Sequence, residues 1–226
     1  MTSNLTIATG WCVNKDRPQS IVRGHLVYKY DWMRKWLAYH KRQTRADFFL
    51  YESFSDFMPD AKGFDNIVHA AIHFKDLPFR HDWAASFIVG MQYAFLQGNH
   101  FLYIEQDCLV TGIPGLINWA LTNSPKISYG YGEFSYMTGW AEMSCVFVKK
   151  SYLVEAITRM NESGIKDNSG TPIFETVFHQ IFSDSLVPWP FGYGRKRPIN
   201  FDDPIWYGHQ MSDEQIEHII GENYGK

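Results

Sequence analysis

One stretch limits this chain more than any other: His100-Phe101-Leu102-Tyr103-Ile104-Glu105-Gln106-Asp107-Cys108-Leu109-Val110. An apolar run too short for a helix and rich in aromatic residues reads as a buried strand, and it stops on two carboxylates with one residue between them. In an open α/β sheet ligands gather at the carboxyl ends of the strands, which is where Glu105 and Asp107 stand. Side chains at i and i+2 of an extended chain leave the same face, so the pair can converge on one hard cation. One or two carboxylates plus substrate phosphates is the usual way Mg²⁺ is held. The competing reading is a strand that ends in a solvated turn with two ordinary surface acids.

The flanking pattern favours an α/β layered sheet. Leu5 to Val13 is β-branched and apolar and reads as a first, central strand with Thr9-Gly10 near its end. It feeds a polar loop, Asn14 to Ser20, a common place for a nucleotide to lie, although a plain strand-to-helix connection reads as well. Tyr28 to Gln43 has helical spacing, with Trp32, Met33, Trp36, Leu37 and His40 on one side and Lys35, Lys41 and Arg42 on the other. Ala46 to Tyr51 is a second strand, Glu52 to Asp65 a loop, and Asn66 to Phe74 a third strand. A charged turn then leads to an apolar helix bearing Trp83, Phe87, Met91, Ala94 and Phe95, with a stop signal at Gly98-Asn99. Asp82 stands where that helix needs an N-cap, and contact with a donor substrate is its other reading.

After the acid-tipped strand, Pro114 opens a helix to Leu121, and Lys126 to Gly132 resumes strand character. Strands alternating with helices in this order predict an α/β fold with helices flanking a central sheet. Glu133 to Lys150 is aromatic, carries Gly139, Trp140 and Glu142, and ends in the alternating strand Met143 to Val148. A helix from Tyr152 to Met160 follows, and then another from Ile173 to Phe182. In the latter, Glu175 and His179 lie one turn apart on an otherwise apolar cylinder, and a carboxylate in such a place asks for a partner or a task. Pro188 to Met211 is loop-like, with Arg195, Lys196, Arg197 and His209, before a capping box, Ser212 to Gln215, opens a last helix with Ile216, Ile219 and Ile220 inward.

Composition narrows the function. A net charge of −3 gives no global attraction to nucleic acid or an anionic membrane. Cys12, Cys108 and Cys145 are scattered and odd in number, as buried thiols in a reducing compartment would be, and no apolar run approaches the length of a membrane span. The first residues lack the basic and apolar regions of a signal peptide, so the expectation is a cytoplasmic protein without a transmembrane segment. The 226 residues fit one domain.

Together, the acid pair at a central strand end, the Gly139-Trp140 segment with Glu142, the helix bearing Glu175 and the late basic loop with His209 resemble a glycosyltransferase of the GT-A fold. The resemblance is one of layout, from Leu5 to Met211, anchored on Glu105-Gln106-Asp107 in place of an Asp-X-Asp motif. It implies a single Rossmann-like domain with a mixed, mostly parallel sheet, residues 1–132 its nucleotide-binding half and 133–226 its acceptor-binding half with a C-terminal tail, and Mn²⁺ or Mg²⁺ held by Asp107, Glu105 and His209. It also implies a nucleotide-diphosphate sugar donor touching Thr9, Gly10, Asp82, Glu105, Gln106, Arg195 and Arg197, and a glycan or other hydroxyl acceptor beside Gly139 and Trp140. Glu175 or Glu142 is then the base. The first acid is Glu where Asp is commoner, which leaves Glu105 either on the metal or on the ribose or a bound water. The chemistry is consistent, since an oxocarbenium-like transition state with a diphosphate leaving group needs positive charge at the phosphates and a carboxylate at the acceptor. Two rivals remain: a Mg²⁺-dependent phosphotransferase or nuclease, and a non-catalytic nucleotide-sugar-binding domain of the same fold.

Overall fold

The structure is a computed structural model that describes residues 4–11, 26, 29–53, 55, 57–70, 82–123, 126–131, 141–163, 174–190, 201–209 and 211–224, with residues 82–83, 130–131, 141–142, 174–176 and 222–224 described by backbone alone. Four strands make a parallel half-sheet: β1 (Leu5–Trp11), β2 (Asp47–Glu52), β3 (Asn66–His69) and β4 (His100–Ile104). β5 (Cys108–Thr111) stands apart from them, while β6 (Ile127–Tyr131), β7 (Ala141–Val148) and β8 (Leu186–Pro188) complete a seven-stranded sheet in the order β3-β2-β1-β4-β7-β6-β8. β7 is antiparallel to both its neighbours and the other pairs are parallel. The expected central place of β1 holds, with β2 on one side and β4 on the other.

Helices cover both faces, as a sheet buried on two sides requires. Ile7, Phe48, Leu50, Leu102, Ile104, Cys145 and Phe147 point to one face, against α1 (Trp32–Lys41), α3 (Ile113–Asn123) and α6 (Asp213–Tyr224). Ala8, Phe49, Tyr51, Phe101, Tyr103, Val146 and Val148 point to the other, against α2 (Asp82–Leu96), α4 (Leu153–Glu162) and α5 (Phe174–Phe182). α2 lies close on the sheet because Gly90 carries no side chain; a Cβ there would sit 2.9 Å from the Cβ of Ala8.

Helix ends follow the sequence signals. Gly98 has a φ of 68°, and the Gly98 and Asn99 amides donate to the Phe95 and Ala94 carbonyls, the paired bonds of a Schellman stop for α2. The Asn99 side chain then ties this corner to β1 and β2, reaching Thr6 Oγ1 at 3.1 Å and Asp47 Oδ2 at 2.8 Å. At the start of α6 the Ser212 amide donates to Gln215 Oε1 at 2.9 Å and the Gln215 amide to Ser212 Oγ at 3.3 Å, so the capping box forms as read, with Ile216, Ile219 and Ile220 buried.

Two readings need correction. The apolar stretch through Val110 is not one strand. It leaves the main sheet at Ile104, turns through Glu105 to Asp107, and resumes as β5 in a second, two-stranded sheet with β9 (Trp206–His209). The tail is therefore not loop throughout, and His209 sits on a strand. Glu52, read as the first residue of a loop, is the last residue of β2 and is buried. Smaller shifts are at ends: α1 covers fewer residues than Tyr28 to Gln43, and β3 ends at His69 rather than Phe74, residues 71–74 lying outside the described residues. Cys108 and Cys145 are buried free thiols as expected, and Cys12 lies outside the described residues.

Candidate metal and donor site

The sheet itself says where a ligand belongs. From β1 the chain goes outward to β2 and β3, then returns past β1 to β4 on its other side, so strand order reverses between β1 and β4. Ligands bind outside the carboxyl ends of strands at such a switch point. At that end of β4 stands Glu105, whose amide donates to the Ser144 carbonyl of β7 at 2.9 Å. The Cys108 amide donates back to the Glu105 carbonyl at 3.0 Å, closing a β-turn over residues 105–108. The two carboxylates thus converge through a turn, not through the pleat of an extended chain.

His209 arrives from the far end of the sequence because β9 pairs antiparallel with β5, placing His209 opposite Cys108. Its Nε2 lies 2.9 Å from Glu105 Oε2 and 3.3 Å from Asp107 Oδ1. Asp107 and His209 are buried, and Glu105 is partly so. In an octahedral Mg²⁺ site with bonds of 2.0–2.1 Å, adjacent ligand atoms are roughly 3 Å apart. The spacing of this nitrogen and these oxygens matches that edge, and the donor set of one imidazole and two carboxylates suits Mg²⁺ or Mn²⁺. It is the one such cluster among the described residues.

Strand β5 has two edges, and β9 covers one of them. In an extended strand the N–H and C=O groups of alternate residues turn to opposite edges. On the other edge the partners are side chains of α1. Trp32 Nε1 donates to the Gln106 carbonyl at 2.6 Å and Trp36 Nε1 to the Cys108 carbonyl at 2.9 Å. The Val110 amide donates to His40 Nε2 at 3.2 Å, and just beyond the helix Gln43 donates to the Val110 carbonyl at 2.8 Å and accepts from the Gly112 amide at 2.9 Å. Four helical residues rise about 6.0 Å and two strand residues about 6.6–6.8 Å, so side chains at i, i+4 and i+8 keep step with alternate residues of the strand. His40 is fully buried, its pKa brought down to about 3 by burial, against a smaller upward pull from the Trp36 carbonyl. As Nε2 accepts, Nδ1 carries the proton and donates to Trp36 O at 2.8 Å.

At the β1 side of the site, Thr9 is fully buried and Gly10 is packed tightly: a Cβ on Gly10 would fall 2.9 Å from Ser86 Oγ and 3.3 Å from the Tyr103 hydroxyl. Burial, and then the nearby Glu105 carboxylate, hold the Tyr103 phenol well above its ordinary pKa, so it stays neutral and bonds Ser86 Oγ at 3.1 Å. Glu52, 5% exposed at the end of β2, accepts from the Ser55 amide at 2.5 Å and lies 3.7 Å from His69 Nδ1 at the end of β3. The burial of Glu52 was not legible because it follows an apolar strand and reads as the first residue of a loop. Sequence reasoning saw the α1 residues only as an apolar stripe; the signal was three polar-tipped rings, Trp32, Trp36 and His40, on a buried face.

The other candidates are placed by backbone or not at all. α2 and α5 end through short links into β4 and β8, so their first turns, bearing Asp82 and Glu175, are directed towards the carboxyl edge of the sheet. Glu142 stands near the start of β7, at that same edge, beside Gly130 of β6. The side chains of Asp82, Glu142 and Glu175 lie outside the described residues, as do Gly139, Trp140, Arg195 and Arg197 entirely. Gln106 is in the turn between the two acids, half-buried.

No family model matches the sequence, and no curated protein does. Solved structures do match. Galactosyltransferase LgtC, in complex with donor and acceptor sugar analogs, is 12% identical with a TM-score of 0.56, over 96% of this chain and 95% of that one. The inositol-1-phosphate CTP transferase from T. maritima is 10% identical with a TM-score of 0.55, over 98% and 96%. A glycosyltransferase involved in the glycosylation of the major capsid of PBCV-1 is 13% identical with a TM-score of 0.50, over 95% and 98%. The chain therefore shares the α/β fold of these structures, with the GT-A type of mixed, mostly parallel sheet expected from its sequence.

Proposed function

We propose that the protein transfers a glycosyl group from a nucleotide-diphosphate sugar to a hydroxyl group of a glycan or other acceptor. The observation that carries this reading is the convergence of Glu105, Asp107 and His209 beside the switch point of the sheet. These three side chains would hold Mn²⁺ or Mg²⁺, which when bound supplies positive charge to the diphosphate leaving group. Arg195 and Arg197 would add to that charge, and Thr9, Gly10, Asp82 and Gln106 would line the donor. The acceptor oxygen attacks the anomeric carbon, the bond from that carbon to the phosphate oxygen breaks, and the acceptor proton passes to a carboxylate, Glu175 or Glu142. Such a base contributes about 10²–10⁴-fold. Gly139 and Trp140 would face the acceptor. Residues 1–132 would thus serve the donor and 133–226 the acceptor, with the C-terminal tail bringing Arg195, Arg197 and His209 to the phosphates and the cation. No helix among the described residues is long and apolar enough to cross a membrane.

A second reading, nucleotidyl transfer, is favoured by the likeness to the CTP transferase. Both need a cation beside phosphates but their products differ. The test is a panel of UDP-, GDP- and dTDP-sugars with Mn²⁺, read by chromatography for nucleoside diphosphate, beside CTP with sugar phosphates read for pyrophosphate. Diphosphate release by wild type and its loss in Asp107→Asn supports glycosyl transfer. Pyrophosphate release alone supports the second reading, and neither product from any substrate refutes both.

A further inference from the structure

We infer that Trp32 is a positioning residue for the cation-binding turn, an inference that rests on the metal reading of Glu105, Asp107 and His209. The turn hangs between two scaffolds. Its start is tied to the main sheet through the Glu105 amide and the Ser144 carbonyl, at 2.9 Å, while its end enters β5, which carries His209 opposite Cys108. The peptide between the two acids is the part that sets how Glu105 and Asp107 face each other. Its carbonyl, Gln106 O, receives the indole N–H of Trp32 at 2.6 Å.

Trp32 can act as a fixed post because it is 1% exposed and sits in the core against the sheet, one helical turn before Trp36, which makes the same kind of bond to Cys108 O at 2.9 Å. The two tryptophans form a natural matched pair. Both are buried, both stand on one face of α1, and each donates one N–H to a carbonyl of the same segment. Only the Trp32 bond falls between the two carboxylates; the Trp36 bond falls one residue past Asp107. Loss of either should cost stability, but only loss of the first should let the acids drift apart.

The experiment measures Mn²⁺ alone, free ion counted by electron paramagnetic resonance, with wild type, Asp107→Asn, Trp32→Phe and Trp36→Phe, and follows unfolding of each in urea. A lost hydrogen bond at the turn should weaken Mn²⁺ binding by Trp32→Phe about five- to tenfold, with Trp36→Phe within about twofold of wild type and the two variants similarly destabilised. Should Trp32→Phe fail to fold, 3-benzothienylalanine at position 32 keeps the bicyclic ring and removes only the N–H. Unchanged Mn²⁺ affinity in the position-32 variants, or an equal loss in Trp36→Phe, overturns the inference while leaving the metal site standing. Equal Mn²⁺ binding by wild type and Asp107→Asn overturns the metal site, and the inference with it.

Discussion

A fully buried histidine should make the stability of this protein fall on mild acidification, and His40 is that histidine. Its folded pKa is about 3 because burial penalises the charged ring, while an ordinary histidine in the unfolded chain titrates near 6.5. The sign follows from proton counting. Between those two values the unfolded chain binds a proton that the folded one refuses, so the stabilisation is complete above about pH 6.5 and is lost as pH falls towards 3. Each pH unit in that window is worth about 1.4 kcal/mol, so by about pH 5 the site has cost the fold about 2 kcal/mol. The assay is urea unfolding of wild type and His40→Gln at about pH 7.5 and about pH 5. Glutamine removes the titration, and comparing the variant with wild type at both pH values cancels other groups and the plain cost of the substitution. Wild type should lose about 2 kcal/mol more than the variant between the two conditions. A difference below about 0.5 kcal/mol would refute the argument, since it would mean that the ring takes its proton in the folded state.

Other perturbations follow from the same geometry. Gly112→Ala should destabilise by at least about 2 kcal/mol in urea unfolding, because Gly112 has a φ of 73° and a Cβ would fall 2.2 Å from the Pro204 carbonyl where the chain enters β9. Wild-type stability in that variant would mean that the crossing opens freely. Ser212→Ala removes one half of the α6 capping box and should cost about 1 kcal/mol in urea unfolding. Glu52→Ala, at the buried end of β2, removes the acceptor of the Ser55 amide and should cost about 1–3 kcal/mol in urea unfolding. No loss of stability there would mean that the Ser55 bond carries no weight.

How much of this was legible in the sequence depends on the range of the interaction. The Gly98-Asn99 stop, the Ser212 to Gln215 capping box and the alternation of strands with helices are written in neighbouring residues, and the structure has them in place. The acid pair was legible as a pair because it interrupts an apolar run. Its setting was not: Cys108, Leu109 and Val110 are as apolar as the residues before Glu105, so nothing local separates the strand that ends from the one that begins. The partner that decides the matter, Trp206 to His209, lies about a hundred positions away in a short run flanked by acids and a proline. Pairing at that distance is fixed by packing and turn geometry, not by propensity.

The α1 face shows a deeper reason for the limit. Periodicity reports which side of a helix is buried but treats a tryptophan as apolar, whereas in a core its one N–H must find an acceptor. Here that requirement is met by the Gln106 carbonyl of the turn and the Cys108 carbonyl on the outer edge of β5. A two-stranded ribbon is marginal by itself, and an unpaired buried carbonyl or amide costs about 1–3 kcal/mol. The bonds with Trp36, His40 and Gln43 therefore do for β5 what a third strand would do, and the Trp32 bond extends them to the turn before it. A real third strand would extend the ribbon sideways. A helix covers the same edge and at the same time packs Met33 and Leu37 into the core, so the segment that carries the acids is fixed from the interior.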